Sequence, residues 1–351
     1  MTKIPTLSWG WGTGFDLFVS LHVLHKPESF GLRPSWAAGI RSRLPARARE
    51  TLEKARKMVS LPLLWVATLP EPRDAKAVLE ALSHLPPRER LPVLMQERGI
   101  LEDVLTVLQD IAGRGAWTQA DEDTLRESYQ GISFAPSTED LPEILEVWAR
   151  PGLFGEQYLS ALQAYHAVFF AEEEKRIASA LQDALEDAQA LAEELPFPDL
   201  IETLSRGVRF DTAQDIKHWL MVPSYWISPL VVYQRFDEEH GLFLFGGRPD
   251  EAALVPGAQV PDTMLRALKT LANPTRLKIL RYLCHENIPP AELARRLRLR
   301  APTVTHHLNK LRLAGLVYLT LGEKNKKCYA TRAEAVENTF QALQAFLNEG
   351  R

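Results

Sequence analysis

Apolar residues recur every three or four positions through most of this chain, in short runs broken by proline and glycine, which predicts many short helices. The clearest runs are "GFDLFVSLHVLH" (14–25), "SWAAGIRSRL" (35–44), "ARARETLEKARKMV" (46–59), "DAKAVLEALSHL" (74–85), "PRERLPVLMQE" (87–97) and "LEDVLTVLQDIAG" (101–113). A longer helical tract is predicted from about Gly155 to Leu195. Its later half puts Ile177, Leu181, Leu185, Ala188, Ala192 and Leu195 on one stripe. The period then changes. Residues 218–247 are rich in β-branched and aromatic side chains and broken by Pro223 and Pro229, which predicts a small antiparallel sheet.

From Asp262 onward the pattern is helical again and finely punctuated. Asp262 is placed to cap a helix containing Met264, Leu265, Leu268 and Leu271. Pro274 suits the first turn of the next helix, where its missing N–H costs little, and Leu277, Leu280 and Leu283 mark its apolar stripe. "IPPAELARRLRL" restarts with proline and spaces Leu293 and Leu297 four apart. "APTVTHHLNKLRLAGLV" puts Val304, Leu308 and Leu311 on one face and ends at Gly315. Two short helices with a tight connection, the second polar and basic outside, form a helix-turn-helix pattern. Two β-rich runs, 316–321 and 328–331, then flank a turn containing Gly322 and Asn325, so a hairpin follows with Lys324, Lys326 and Lys327 at its tip. A last helix carries Val336, Phe340, Leu343 and Leu347 on one face. The expected fold is mainly α: a large helical body with a small antiparallel β element (1–250), followed by a winged helix-turn-helix (262–351).

Charge sharpens this division. The chain is −4 overall, but residues 262–351 hold 16 Lys and Arg against 7 Asp and Glu, a surplus of +9, and the preceding 261 residues carry −13. All eight tryptophans lie before the change of sign. A basic module on an acidic body points to nucleic acid as the module's partner. The joint is expected in "GGRPDEAALVPGAQVPD" (246–262), rich in proline and glycine. No apolar run approaches the roughly 18–20 residues of a membrane span, and the amino terminus lacks a secretion-signal pattern. Cys284 and Cys328 are the only cysteines, too few for a disulfide framework, which fits a reducing cytoplasm.

The segment 262–347 resembles the winged-helix repressors of the arsenical-resistance-repressor (ArsR) type. "LANPTRLKILRYL" matches the family's helix after an Asn-Pro-x-Arg start, "AELARRL" its supporting helix, and "PTVTHHLNKLRLAGLV" its recognition helix running into the wing. The resemblance implies a homodimer on double-stranded DNA, with 263–271 and 333–347 as dimer elements and Thr303, Thr305 and His306 as base readers. The family often has glutamine where this chain has Ala301. Helical geometry places Thr303, His306 and Lys310 broadly opposite the leucine side, with Asn309 beside them and Thr305 and His307 on the flanks. A histidine is common at the His307 position in relatives, so base reading, phosphate contact and a structural role all stay open there. Arg300, just ahead of the helix, and the three wing lysines complete the expected DNA contacts. Metal sensing is disfavoured. His306 and His307 diverge by about 100° on a helix, the supporting helix has no cysteine pair, and the last helix has Glu334 and Glu337 but no histidine.

The body offers little chemistry. "WGWGTG" (9–14) lacks the spacing of a dinucleotide loop, and a tight start to the first helix is the plainer reading. No Walker A, His-Glu-x-x-His or Gly-x-Ser-x-Gly motif occurs. His22 and His25 read as a partly buried pair, the acids of 155–195 (Glu172, Asp183, Glu186) as a solvated face, and Trp219, Tyr225, Trp226 and Tyr233 as core rather than pocket. "WGWGTGFDLFVSLHVL" with "VPSYWISP" also resembles an uncharacterised helical region ahead of such winged helices in some bacterial regulators. The expectation is a cytoplasmic, non-enzymatic transcription regulator, a repressor by resemblance, with no cofactor. Its body would supply a dimer interface, a small-molecule effector site, or both. The rivals are a fused enzyme and a winged helix used for protein assembly.

Overall fold

The computed structural model of the chain describes residues 5–59, 61–95, 102–130, 136–210, 216–249, 252, 260–322 and 327–348. The fold is mainly α, as the periodicity predicts. After strand β1 (Thr6–Trp9) come helices α1 (Thr13–His25), α2 (Pro34–Arg43), α3 (Ala46–Ala55), α4 (Leu63–Thr68) and α5 (Ala75–His84). They are followed by α6 (Pro87–Leu94), α7 (Glu102–Arg114), α8 (Gln119–Ser128), α9 (Leu141–Ala149) and α10 (Pro151–Tyr165). A π-helical turn, His166–Phe170, then α11 (Ala171–Glu194) and α12 (Phe197–Leu204) complete the first helical series. The helical tract expected over 155–195 is therefore present, α10 and α11 being joined without a break through the π turn. Strands β2 (Val208–Phe210), β3 (His218–Ser224), β4 (Val232–Arg235) and β5 (His240–Gly246) precede the C-terminal module.

The chain forms two compact units, one of residues 11–179 with 233–242, the other of 1–10, 180–232 and 243–351. In the first, α10 packs on α3, α5 and α6, and α1 packs on α4 and α5. The glycines of "WGWGTG" serve that packing: a Cβ on Gly14 would lie 2.4 Å from Val78 Cγ2 and 2.8 Å from the Arg73 carbonyl oxygen. The tight helix start is what the structure shows. His22 and His25 are largely buried, His22 packing its ring against Phe30. Glu172, Asp183 and Glu186 are solvated as expected, but Glu173 is buried against Arg176, and Glu174 accepts from the Ala75 N–H at 2.9 Å.

The second unit has two apolar cores. One gathers Ile201, Trp219, Met221, Phe243 and Phe245, with Leu7 and Trp9 against it. In its sheet β3 lies between β1 and β5, and β1 runs parallel to β3 with Leu7 opposite Trp219. The small sheet is therefore mixed, not purely antiparallel. A strand 4 residues long finds its partner some two hundred positions away, which local pattern cannot reveal. Trp219, Tyr225 and Trp226 are core as expected, whereas Tyr233 is exposed. The second core belongs to the C-terminal module: α13 (Asp262–Leu271), α14 (Pro274–Leu283), α15 (Pro290–Leu297), α16 (Ala301–Leu313), β6 (Val317–Leu321), β7 (Lys327–Thr331) and α17 (Ala333–Asn348). Two expectations are corrected here. Asp262 is the first helical residue and makes no cap, Pro261 holding that position; its carboxylate still favours the positive end of the helix dipole. And the expected linker begins inside the fold, since Gly246 ends β5 and Arg248 is buried.

Candidate nucleic-acid interface

The frame of the C-terminal module is set by its helix ends. The Asn273 side chain accepts from the Arg276 N–H at 3.1 Å, capping α14, with Pro274 in its first turn. Arg276 then reaches back to the last carbonyls of α13, donating to Thr270 at 2.7 Å and Lys269 at 3.0 Å. That explains the Asn-Pro-x-Arg start: cap and arginine together fix the angle between two helices. α15 leaves through Arg298 in the left-handed conformation (φ 54°), a tight turn through Leu299 and Arg300 follows, and α16 begins. α16 ends in a Schellman turn. The Leu316 N–H donates to Leu311 at 3.0 Å and the Gly315 N–H to Arg312 at 3.0 Å, with Gly315 at φ 68° where only glycine sits without strain.

This frame gives α16 two distinct faces. Val304, Leu308 and Leu311 are each 0 % exposed in the module's core. Thr303, Thr305, His306 and Asn309 are exposed on the other side, with Arg300 exposed at the helix start. Lys310 and His307 are half-buried. The His307 Nδ1 is buried without a hydrogen-bond partner, and burial, then the nearby Arg276 and His306 charges, push its pKa below the ordinary histidine value. His307 is thus less accessible than its exposed neighbour His306. The two imidazole rings lie 6.0 Å apart, tilted 66°. Hydroxyl, imidazole and amide groups on one helix face present donors and acceptors of the kind that match base edges.

The wing forms where the sequence places it. β6 and β7 pair antiparallel, Val317 opposite Thr331 and Leu321 opposite Lys327. Lys327 is exposed; Lys324 and Lys326 lie outside the described residues. Ile288, before α15, exchanges backbone hydrogen bonds with Tyr329 at 3.0 and 3.1 Å, tying the wing to the helix-turn-helix. On the supporting helix, Arg296 pairs with Glu286 and Glu292, and Arg295 with Glu292, so these cations are partly spoken for.

Sequence reasoning missed a third strand. β2 lies parallel to β6, with Val208 opposite Leu319 and Phe210 opposite Leu321, giving the sheet order β2-β6-β7. The contact is reinforced by arginines. Arg312, from the last turn of α16, is 6 % exposed and donates to the carbonyls of Ser205 (2.8 Å) and Arg206 (3.4 Å). Arg332 donates to Arg206 (3.0 Å) and Gly315 (3.2 Å). The Arg209 guanidinium sits 3.7 Å over the Tyr318 ring and pairs with Glu202. The turn itself is a second Schellman motif, Gly207 donating to Glu202 at 2.8 Å, with Arg206 held at φ 55°. The one local signal was "RG" after the amphipathic stretch of α12, a helix stop.

In the other compact unit, a cleft of about 710 Å³ opens at the start of α1, lined by Trp11, Thr13, Glu71, Arg73, Asp74 and Glu174. The Thr13 hydroxyl and the Ala75 N–H both donate to Glu174, so this carboxylate serves as a joint between α1, α5 and α11.

Residues 271–319 match the family model of a helix-turn-helix domain. The match runs from the end of α13 through α14, α15 and α16 into β6. No curated protein and no solved structure matches the chain.

Proposed function

We propose that this chain is a cytoplasmic transcription regulator of the ArsR type, a repressor, that binds operator DNA as a homodimer through α16 and the β6–β7 wing. One observation carries the reading. α16 buries Val304, Leu308 and Leu311 completely while Thr303, Thr305, His306 and Asn309 project from an exposed face, in a segment that matches a helix-turn-helix domain. Such a helix is held rigidly by one side and free to enter a major groove by the other. Lys327 and the sequence-adjacent Lys324 and Lys326 supply phosphate contacts that fix register without reading sequence.

Dimerisation is supported by α17, which packs on α13 yet leaves Phe340 55 % and Leu347 67 % exposed. Joined through these helices, two copies would set two α16 helices about 34 Å apart, the spacing of successive major grooves. The body acts by binding, not catalysis, and an effector held there would adjust DNA affinity. No helix of the described residues is long and apolar enough to cross a membrane. The test is selection from a random duplex pool with the full chain. The expected product is a near-palindrome whose half-sites are centred about one helical turn apart; recovery of no enriched sequence would overturn the proposal.

A further inference from the structure

Arg312 stands on a flank of α16. At 100° per residue it lies about 70° around the axis from the stripe of Val304, Leu308 and Leu311, between that stripe and Asn309. An apolar stripe holds a helix against a core but leaves it free to roll, and a directional hold on one flank fixes the roll. Arg312 supplies such a hold. It is 6 % exposed, and its guanidinium donates to the Ser205 carbonyl at 2.8 Å and to the Arg206 carbonyl at 3.4 Å. A buried guanidinium is tolerated where acceptors of this kind replace its water. Ser205 is the C-cap of α12, so these oxygens lie at the negative end of that helix's dipole.

The same turn reaches the wing. The Leu319 N–H of β6 donates to the Gly207 carbonyl at 2.8 Å, where the β2–β6 ladder starts. Arg332 donates to the Arg206 carbonyl at 3.0 Å and to the carbonyl of Gly315, in the turn that ends α16, at 3.2 Å. Gly207 holds φ 102°, and a Cβ there would stand 2.9 Å from Arg332 Cδ and 3.0 Å from Tyr318 Cδ1. Behind the turn, α12 is rooted in the other apolar core, where Ile201 packs with Trp219 and Phe243. Residues 205–207 therefore meet α16 and the wing at once, from a helix anchored outside the module's own core. We propose that this turn is a positioning element for DNA reading, in which Arg312 sets the roll of α16 and Gly207 seats the wing strand. Base edges are read through hydrogen bonds of fixed geometry, whereas phosphate contacts carry no sequence information. Loss of the brace should therefore show in sequence discrimination. That consequence for DNA rests on the regulator reading; the brace itself does not.

The experiment compares full-chain variants by competition anisotropy on the selected duplex and on an unrelated one, across a salt series, with amide hydrogen exchange of the free proteins. The ratio of the two affinities divides out any unfolded fraction, so it reads helix placement and not stability. Arg312→Met and Gly207→Ala, one on each side of the contact, should each cut that ratio at least tenfold with the salt slope unchanged. Arg312→Lys, which keeps a donor and the charge, should recover part of the loss. The Leu319 amide should be protected in the parent and exchange at least tenfold faster in Gly207→Ala, with the amides of α14 unaffected. The proposal is overturned if either Arg312→Met or Gly207→Ala keeps the parent's ratio. It is also overturned if Arg312→Met lowers the salt slope by about 0.9, the mark of a phosphate contact and not a brace, or if Leu319 exchanges as fast in the parent as in Gly207→Ala. Should the parent bind no duplex, the regulator reading fails and the exchange result alone decides the brace.

Discussion

Two positions on α16 should respond in opposite ways to the same truncation. Leu308 is 0 % exposed in the core with Ile279, Leu283 and Leu293, so Leu308→Ala leaves a cavity that rigid neighbours close only in part. Such changes cost about 2–5 kcal/mol. His306, two residues earlier, is exposed, and its removal should alter stability by no more than roughly 0.5 kcal/mol. In base reading the order reverses. A specific base interaction is worth about 1–3 kcal/mol of discrimination, or roughly 5- to 150-fold, at one base pair. Leu308→Ala should weaken all duplexes alike once its unfolded fraction is allowed for. Urea unfolding supplies the stabilities, and competition anisotropy against single-base variants of the selected site supplies the preferences. The orientation of α16 is refuted if His306→Ala loses more stability than Leu308→Ala, or if His306→Ala leaves every base preference intact.

Three further outcomes are expected. Replacing Lys324, Lys326 and Lys327 by alanine should weaken binding to all sequences and flatten the plot of log K against log salt by about 0.9 for each phosphate no longer neutralised; an unchanged slope would take the wing off the backbone. Phe340→Asp should convert dimer to monomer in sedimentation equilibrium, because half-burial of Phe340 and Leu347 on both copies is worth roughly 3–6 kcal/mol. A dimer of undiminished affinity would move the interface elsewhere. His22 and His25 have pKa values of about 4, burial being the main cause in each, and Glu53 Oε2 at 3.3 Å from His25 Nδ1 recovers only part of it. The unfolded rings protonate near 6.5, so stability is complete above that pH and falls as pH drops toward 4, by on the order of 2–3 kcal/mol per ring. His25→Gln should flatten this fall in urea unfolding at pH 7 and pH 4.5, and an identical slope would contradict it.

Most of the C-terminal module could be read from its residues because local forces shape it. Leu308 and Leu311 follow the helical period, Gly315 supplies the left-handed turn, and "LVYLTL" has the β-branched and aromatic residues that favour a strand. The acidic-to-basic change near residue 260 was equally visible in the sequence. What escaped is long-range. β2 is 3 residues long and pairs with a strand more than a hundred positions later, and β1 lies farther still from β3. Arg312 and Arg248 count as surface cations in any tally of charge, yet both are buried, one on carbonyls and one without an acceptor for Nη1. Amphipathic periodicity says which side of a helix is apolar; it does not say that an arginine will be enclosed by a turn from another part of the chain.

The most direct test of the central claim, that α16 occupies a major groove, is dimethyl sulfate protection on the selected duplex with the full chain bound. Guanine N7 opens only to the major groove, so protection of guanines in two patches one helical turn apart is the expected result. Protection confined to adenine N3 in the minor groove, or bound duplex with every guanine N7 still reactive, would contradict it.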